Sequence, residues 1–295
     1  MEVVQEDDVL TTHSAARPAA LFPAALRHIP SPPQRIYFRG PLNDLMERPR
    51  LAVVGSRSIS PYGRQITEEL AGKLAERGMV IVSGLALGVD AAAHRAALAA
   101  GGLTIAVLPG PVDNIYPATN IRLAEDILAN GGALVSEYAV AEYSFKQNFI
   151  ARNRLVAGLA QAVLITEAAK KSGSLHTARF ALEQGKDVLA VPGNITSKTS
   201  VGTNNLIKAG ATPITSYADV LHALGLRDRT ARPEQARSRN QHEQIILDLL
   251  QKGLSDGEQL LKQSGLTPSE FNQAQTMLEL AGKLRPLGAN QWSLR

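Results

Sequence analysis

The chain has 295 residues, 44% of them hydrophobic, and a formal net charge of +4. It contains no cysteine, which excludes disulfides, thiolate metal sites and cysteine nucleophiles together. No apolar run approaches the roughly 20 residues of a membrane-spanning helix, and the acidic start MEVVQEDDVL lacks the basic-then-apolar layout of a secretion signal. A cytoplasmic protein of about two domains is therefore expected. The mild positive charge permits an anionic partner without demanding one.

Residues 1–33 are rich in Ala and Pro and end in IPSPP, and read as an N-terminal extension with one short helix. From Leu51 the chain changes character. LAVVG (51–55), MVIVSG (79–84), LTIAVLPG (103–110), GALVSEY (132–138), QAVLITEA (161–168), DVLAVPG (187–193) and ATPITS (211–216) are short apolar runs. Most are rich in Val and Ile and stop at a Gly, Pro or polar residue, as strands buried on both faces do. Between them lie amphipathic stretches such as YGRQITEELAGKLAERG (62–78), where Ile66, Leu70 and Leu74 share a helical face. Alternating strand and helix predict an α/β fold over residues 34–226, a doubly wound and mostly parallel sheet. Ligands of such sheets bind at the C-terminal ends of the strands.

RDRTARPEQARSRN (227–240) has Arg at 227, 229, 232, 237 and 239 and no hydrophobic period, and reads as a linker. Residues 241–295 then spell three short helices, with Asp256 and Thr267 as N-caps of the second and third, followed by a hairpin in RPLGANQWSL. Three helices and a β-wing make a winged-helix unit. Its third helix, TPSEFNQAQTMLEL, carries two glutamates and no cation. Duplex affinity depends on neutralising phosphates, so weak or no binding of duplex DNA is expected of this unit.

The strand ends carry the chemistry. After LAVVG come Ser56 and Arg57, where Gly55 permits close backbone approach and Arg57 can fork onto a phosphate. No Gly-x-Gly-x-x-Gly or Walker A sequence accompanies this turn. In SGLALGVDAAAHRAAL (83–98), Ser83, Asp90 and His94 superficially form a triad, but a helix cap with a nearby His is the stronger reading. LPGPVDNIYPATN (108–120) reads as a structural loop held by Asp113 and Asn120. Glu137 and Glu167 stand at two further strand ends, where paired carboxylates could do acid–base work; binding the backbone amides of adjacent loops is the stronger reading.

VAEYSFKQNFIARNR (140–154) interleaves Tyr143, Phe145 and Phe149 with Lys146, Arg152 and Arg154. Cations track a nucleic-acid backbone and rings stack its bases, a combination suited to single strands. The competing reading places Phe145 or Tyr143 in the core. KKSGSLHTA (170–178) adds a Ser172-Gly173 turn before a helix, whose free N–H groups can hold an anion. VPGNITSKTSVGTNNLIKAGA (191–211) adds Lys198 and Asn204 at another helix start.

These motifs in this order resemble the DNA-processing protein A family (DprA, also called Smf), from LFPAALRHIPSPPQRIYFRG (21–40) through VLHALGL (220–226). They include VGSR, SGLALGVDAAAH, YPATN, SEY, F-x-x-RNR-x-x-AGL, SGSLHTA and GTNNLI-x-x-GA. The resemblance implies an extended Rossmann-like core that binds single-stranded DNA, forms a homodimer and loads the RecA recombinase onto DNA coated by single-strand-binding protein, in natural transformation and repair. It implies no cofactor, no metal and no catalytic residue. The expected DNA site is Gly55, Ser56, Arg57, Lys146, Phe149, Arg152, Asn153, Arg154, Ser172, Gly173 and Asn204. A dimer edge is expected at Asn205, Leu206, Ile207 and Ile214. Ile150 stands where the family often has Pro.

The alternative is a nucleotide-hydrolysing enzyme of the related phosphoribohydrolase type, whose signature resembles Pro-Gly-Gly-x-Gly-Thr-x-x-Glu. Here SGSLHTARFALEQG lacks the Gly-x-Gly-Thr core and places Phe180 three residues after Thr177, where a carboxylate would be needed.

Overall fold

A computed structural model describes residues 2–5, 22–139, 145, 147–226, 241–288 and 290–294. The chain forms two compact units, Met1–Arg229 and Thr230–Arg295. In the first, the strands are β1 (Glu2–Gln5), β2 (Arg35–Arg39), β3 (Arg50–Val54), β4 (Val80–Ser83), β5 (Thr104–Val107), β6 (Ala133–Ser136), β7 (Ala162–Ile165), β8 (Asp187–Ala190) and β9 (Thr212–Pro213). They make one nine-stranded sheet in the order β1-β2-β6-β5-β4-β3-β7-β8-β9. β2 pairs antiparallel with β1 and with β6, and the other neighbours pair parallel. From β5 to β9 the order is that of the doubly wound dinucleotide-binding sheet, and the winding reverses between β3 and β7. The crevice outside the C-terminal ends of those two strands is where such sheets bind ligands.

All seven apolar runs became strands, and alternation assigns their side chains to two cores. Ala52, Val54, Val82, Val107 and Ile165 face one side, and Leu51, Val53, Ile81 and Leu164 face the other. The first side is covered by α1 (Ala24–Arg27), α2 (Leu42–Met46), α7 (Asn153–Leu159) and α8 (Ser174–Glu183). The second is covered by α3 (Pro61–Glu76), α4 (Val89–Ala99) and α10 (Tyr217–Ala223), with α5 (Ile121–Ala129) on an adjoining cluster. Short α6 (Asn148–Ala151) precedes α7, and α9 (Val201–Lys208) follows β8. In α3, Leu70 and Leu74 are buried and Ile66 packs beside them; the helix starts at Ser60, whose side chain accepts from the Gly63 N–H at 3.0 Å, with Pro61 as its first residue.

Two sequence expectations change here. Residues before 34 are more than a lead-in, because Phe22, Leu26 and Ile29 are buried in the first core against α7, and β1 pairs with β2. Ile214, expected at a dimer edge, is fully buried within its own unit among Leu189, Val191 and α10, so it has no surface to offer a partner.

The second unit holds α11 (Gln241–Gln251), α12 (Gly257–Ser264), α13 (Pro268–Leu280) and an antiparallel hairpin of β10 (Leu284–Gly288) and β11 (Gln291–Leu294). Ile246, Leu247, Leu260, Phe271, Leu278 and Leu284 form its core. Asp256 caps α12 by accepting from the Gln259 N–H at 3.0 Å. Thr267 and Glu270 form a reciprocal capping box on α13.

Candidate nucleic-acid interface

The turn after β3 is built by close packing. A Cβ on Gly55 would lie 2.6 Å from Val89 Cγ2 and 2.7 Å from the Glu167 carbonyl oxygen, so the first helical residue of α4 and the end of β7 close on this backbone. Gly88 has φ +79°, and any side chain there would run into the Ser56 carbonyl. The Ser56 N–H donates to the Glu167 carbonyl at 2.8 Å, and the Val89 N–H donates to the Ser56 carbonyl at 3.1 Å. With its backbone so held, the turn projects Arg57 outward into solvent.

Arg57 faces a cavity of about 460 Å³ at the reversal point between β3 and β7. Gly55, Ser56 and Arg57 line it from one side, Ser172, Gly173 and Ser174 from another, and Phe149, Arg152 and Asn153 from a third. Asp90 and Lys171 complete its charged lining. The Arg57 guanidinium carbon lies 5.5 Å from the centroid of the Phe149 ring. Among the described residues, no carboxylate lies within ion-pairing distance of Arg57. α8 begins at Ser174 with no side-chain cap, and the N–H groups of Gly173 and Ser174 find no acceptor among the described residues. Unpaired N–H groups at a helix start attract an anion, and the helix dipole adds to that field.

The three cations that look alike in FIARNR and its approach have different fates. Lys146 lies outside the described residues. Arg152 is buried and donates through Nη1 to the carbonyls of Gly84, at 2.6 Å, and Val107. Those carbonyls close the ends of β4 and β5, so Arg152 pins the start of α7 to the sheet and contributes charge to the cavity floor rather than a mobile phosphate clamp. Burial lowers its pKa to about 10, opposed by the negative charge of Asp90. Burial likewise raises the Asp90 carboxyl, opposed by Arg152 and by the N–H groups of Ala86 and Gly84. Asp90 is not the cap of α4, a position held by Gly88; its carboxylate accepts from the Gly84 N–H at 3.1 Å and ties down the preceding loop.

Arg154 is committed elsewhere. It forms a two-pronged pair with Glu137, at 2.6 and 2.9 Å, and donates through Nε to the Ser31 carbonyl at 2.8 Å. Asn204 is also structural, accepting from the Gly193 N–H at 3.1 Å and donating to the Gly193 carbonyl at 3.0 Å. Glu167 is buried and accepts from the Ser60 N–H at 3.1 Å and from the Ser60 hydroxyl. His94 is buried with Nδ1 2.6 Å from the Thr104 hydroxyl, far from any serine-triad geometry, and burial pushes its pKa down to about 3. Asn120, as expected, holds its loop, donating to the Leu85 carbonyl at 2.9 Å.

The rings also part. Tyr143 lies outside the described residues. Phe145, one of the two rings that the competing reading placed in the core, is 59% exposed. Phe149 is half-buried and meets Tyr116 edge-to-face, centroids 5.2 Å apart and planes at 79°. Tyr116 and Lys171 are members of this surface that the expected DNA site did not include. Tyr116 sits in the loop taken as structural, and Lys171 lacked any spacing that ties it to Arg57. Among the described residues no helix is long and apolar enough to cross a membrane, and no group of three His, Cys, Asp or Glu could hold a metal ion.

Comparison with known proteins adds to the geometry. Residues 14–225 match the family described as DNA recombination-mediator protein A, and residues 230–290 match the DprA winged helix domain. The chain is 45% identical over 200 residues to DNA processing protein DprA of Streptococcus pneumoniae, covering 68% of this chain and 70% of that protein. It is 42% identical over 212 residues to protein Smf of Escherichia coli, covering 72% of this chain and 56% of that protein. Among solved structures, DNA processing protein A from Helicobacter pylori, described for its single-stranded DNA binding mode, superimposes with a TM-score of 0.63 at 38% identity. That match covers 69% of this chain and 92% of the other.

Proposed function

The chain belongs to the DNA recombination-mediator protein A family, and from that premise we propose that it binds single-stranded DNA across the C-terminal ends of β3 and β7. The observation that carries this reading is the Arg57–Phe149 pair at the mouth of the cavity. A cation without a carboxylate partner among the described residues stands against a half-buried ring, beside two unpaired N–H groups at the start of α8. The cation and the N–H groups suit consecutive phosphates, and the ring suits a base. Lys171 extends the positive track, and Lys146, outside the described residues, is a further phosphate contact implied by the family resemblance. Arg152, Arg154 and Asn204 hold the framework rather than the strand.

The further role we infer is that of a mediator in the cytoplasm. A homodimer with contacts at Asn205, Leu206 and Ile207 would present two such sites and gain avidity. Its product would be RecA loaded on DNA first covered by single-strand-binding protein, in transformation and repair. A nucleotide-hydrolysing reading would need a free carboxylate in the cavity. Asp90, which lines it, is engaged by the Gly84 N–H, Glu167 is engaged by Ser60, and Glu183 pairs with Arg179 at the far end of α8.

The test is fluorescence anisotropy with labelled oligo-dT and a matched duplex, titrated in salt, for wild type, Arg57→Ala, Lys146→Ala and Phe149→Ala. Preference for the single strand, with a flatter salt dependence in the two cation variants, is the expected result. Three variants that bind like wild type would sink the assignment of this site.

A further inference from the structure

We propose that Tyr116 is a second base platform, so that a strand leaving the Phe149 ring turns through nearly a right angle and lays its next base on Tyr116. This deepens the single-stranded DNA reading above and rests on it. Tyr116 is 55% exposed, yet its place is set from below. Val112 is buried and Ile115 packs against the same cluster, on the upstream side of the ring. Downstream, the Asn120 N–H donates to the Pro117 carbonyl at 2.9 Å, and the Asn120 side chain donates to the Leu85 carbonyl at 2.9 Å and accepts from Arg95 at 3.4 Å. The loop is thus tied on both sides of an aromatic residue that stands largely in water.

The ring relationship supplies the second half. Tyr116 and Phe149 sit 5.2 Å apart at 79°, an edge contact that fixes each ring without stacking their faces on one another. Arg57 stands against Phe149 and no cation stands against Tyr116 among the described residues. A ring with a solvent-facing surface beside a phosphate track is what sequence-tolerant base stacking requires, because every base has a π-face. The two planes nearly at right angles cannot both stack on a straight run of bases. The strand must bend between them, which splays the bases apart.

Tyr116→Ala is expected to weaken oligo-dT binding about five-fold or more, the low end for loss of one stacked base. The slope of affinity against salt should not change, because no phosphate contact is lost. Tyr116→Phe should bind like wild type. Photocrosslinking with oligo-dT carrying 5-iodouracil, followed by mapping of the linked peptides, should mark both Phe149 and Tyr116. Weakening by Tyr116→Ala without a crosslink at Tyr116 would show that the residue only braces Phe149, and would overturn the proposal. Wild-type affinity in Tyr116→Ala would overturn it equally. Failure of the underlying reading looks different, since wild type itself would then show no preference for oligo-dT over duplex.

Discussion

Arg57 and Phe149, which lie 92 residues apart in the chain (149 − 57), meet with the guanidinium carbon 5.5 Å from the ring centroid. A cation against a ring face is worth about 0.5–1 kcal/mol at an exposed site. The pair should therefore act on DNA as a unit. Phe149→Ala is expected to cost about 1–3 kcal/mol of oligo-dT affinity with an unchanged salt slope. Arg57→Ala should reduce that slope by about 0.7. In a double-mutant cycle read by anisotropy, the joint loss should differ from the sum by about 0.5–1 kcal/mol. Strict additivity would mean that the two side chains work apart.

Arg152 behaves oppositely. Its removal strands the Gly84 and Val107 carbonyls and leaves Asp90 buried without its nearby positive charge. Arg152→Gln should lower unfolding stability by about 3–5 kcal/mol, the range for breaking a buried charge arrangement. Arg57→Gln, which loses only the exposed cation–ring contact, should cost no more than about 1 kcal/mol. Urea unfolding of both variants without DNA separates the cases, and equal stabilities would refute the assignment.

His94 makes stability depend on acid. Its folded pKa is about 3, below the ordinary 6.5. Between those values the unfolded chain binds the proton and the folded chain does not, so stability is full above about pH 6.5 and falls as pH drops. At pH 5 the loss from this one residue is about 2 kcal/mol. Asp90, with a raised pKa, acts in the opposite sense. Comparing wild type with His94→Gln isolates the histidine: the drop in unfolding free energy from pH 7 to pH 5 should be about 2 kcal/mol smaller in the variant. An identical pH dependence would place the titration elsewhere.

The winged-helix unit should add little DNA affinity. On α13, Glu270 is spent on the capping box and Glu279 accepts from the Trp292 indole at 2.6 Å, and the helix carries no cation. A chain ending at Arg229 should keep its oligo-dT affinity within about 0.5 kcal/mol and lose no duplex affinity. Low-micromolar duplex binding by residues 241–295 at physiological salt would contradict this.

Much of this protein was legible in the sequence because it is written in short-range terms. Apolar runs of Val and Ile declared the strands, helical spacing declared α3, and Asp256 and Thr267 declared the starts of α12 and α13. Gly55-Ser56-Arg57 and Phe149 could be picked out as a cation and a ring at strand-end and helix-start positions. What the sequence could not separate was Arg152 from Arg154 and Arg57, which are chemically the same residue. Their roles follow from what the fold brings within reach: the Gly84 and Val107 carbonyls, 68 and 45 residues distant, for Arg152, and Glu137 for Arg154. For Arg57 the fold brings a ring and open solvent. Ile214 and Tyr116 teach the same lesson from the apolar side, one buried where a partner was expected and one exposed where a structural loop was expected. Local propensity and periodicity act over a few residues, whereas desolvation and partner choice are decided by segments that meet only after the sheet has assembled.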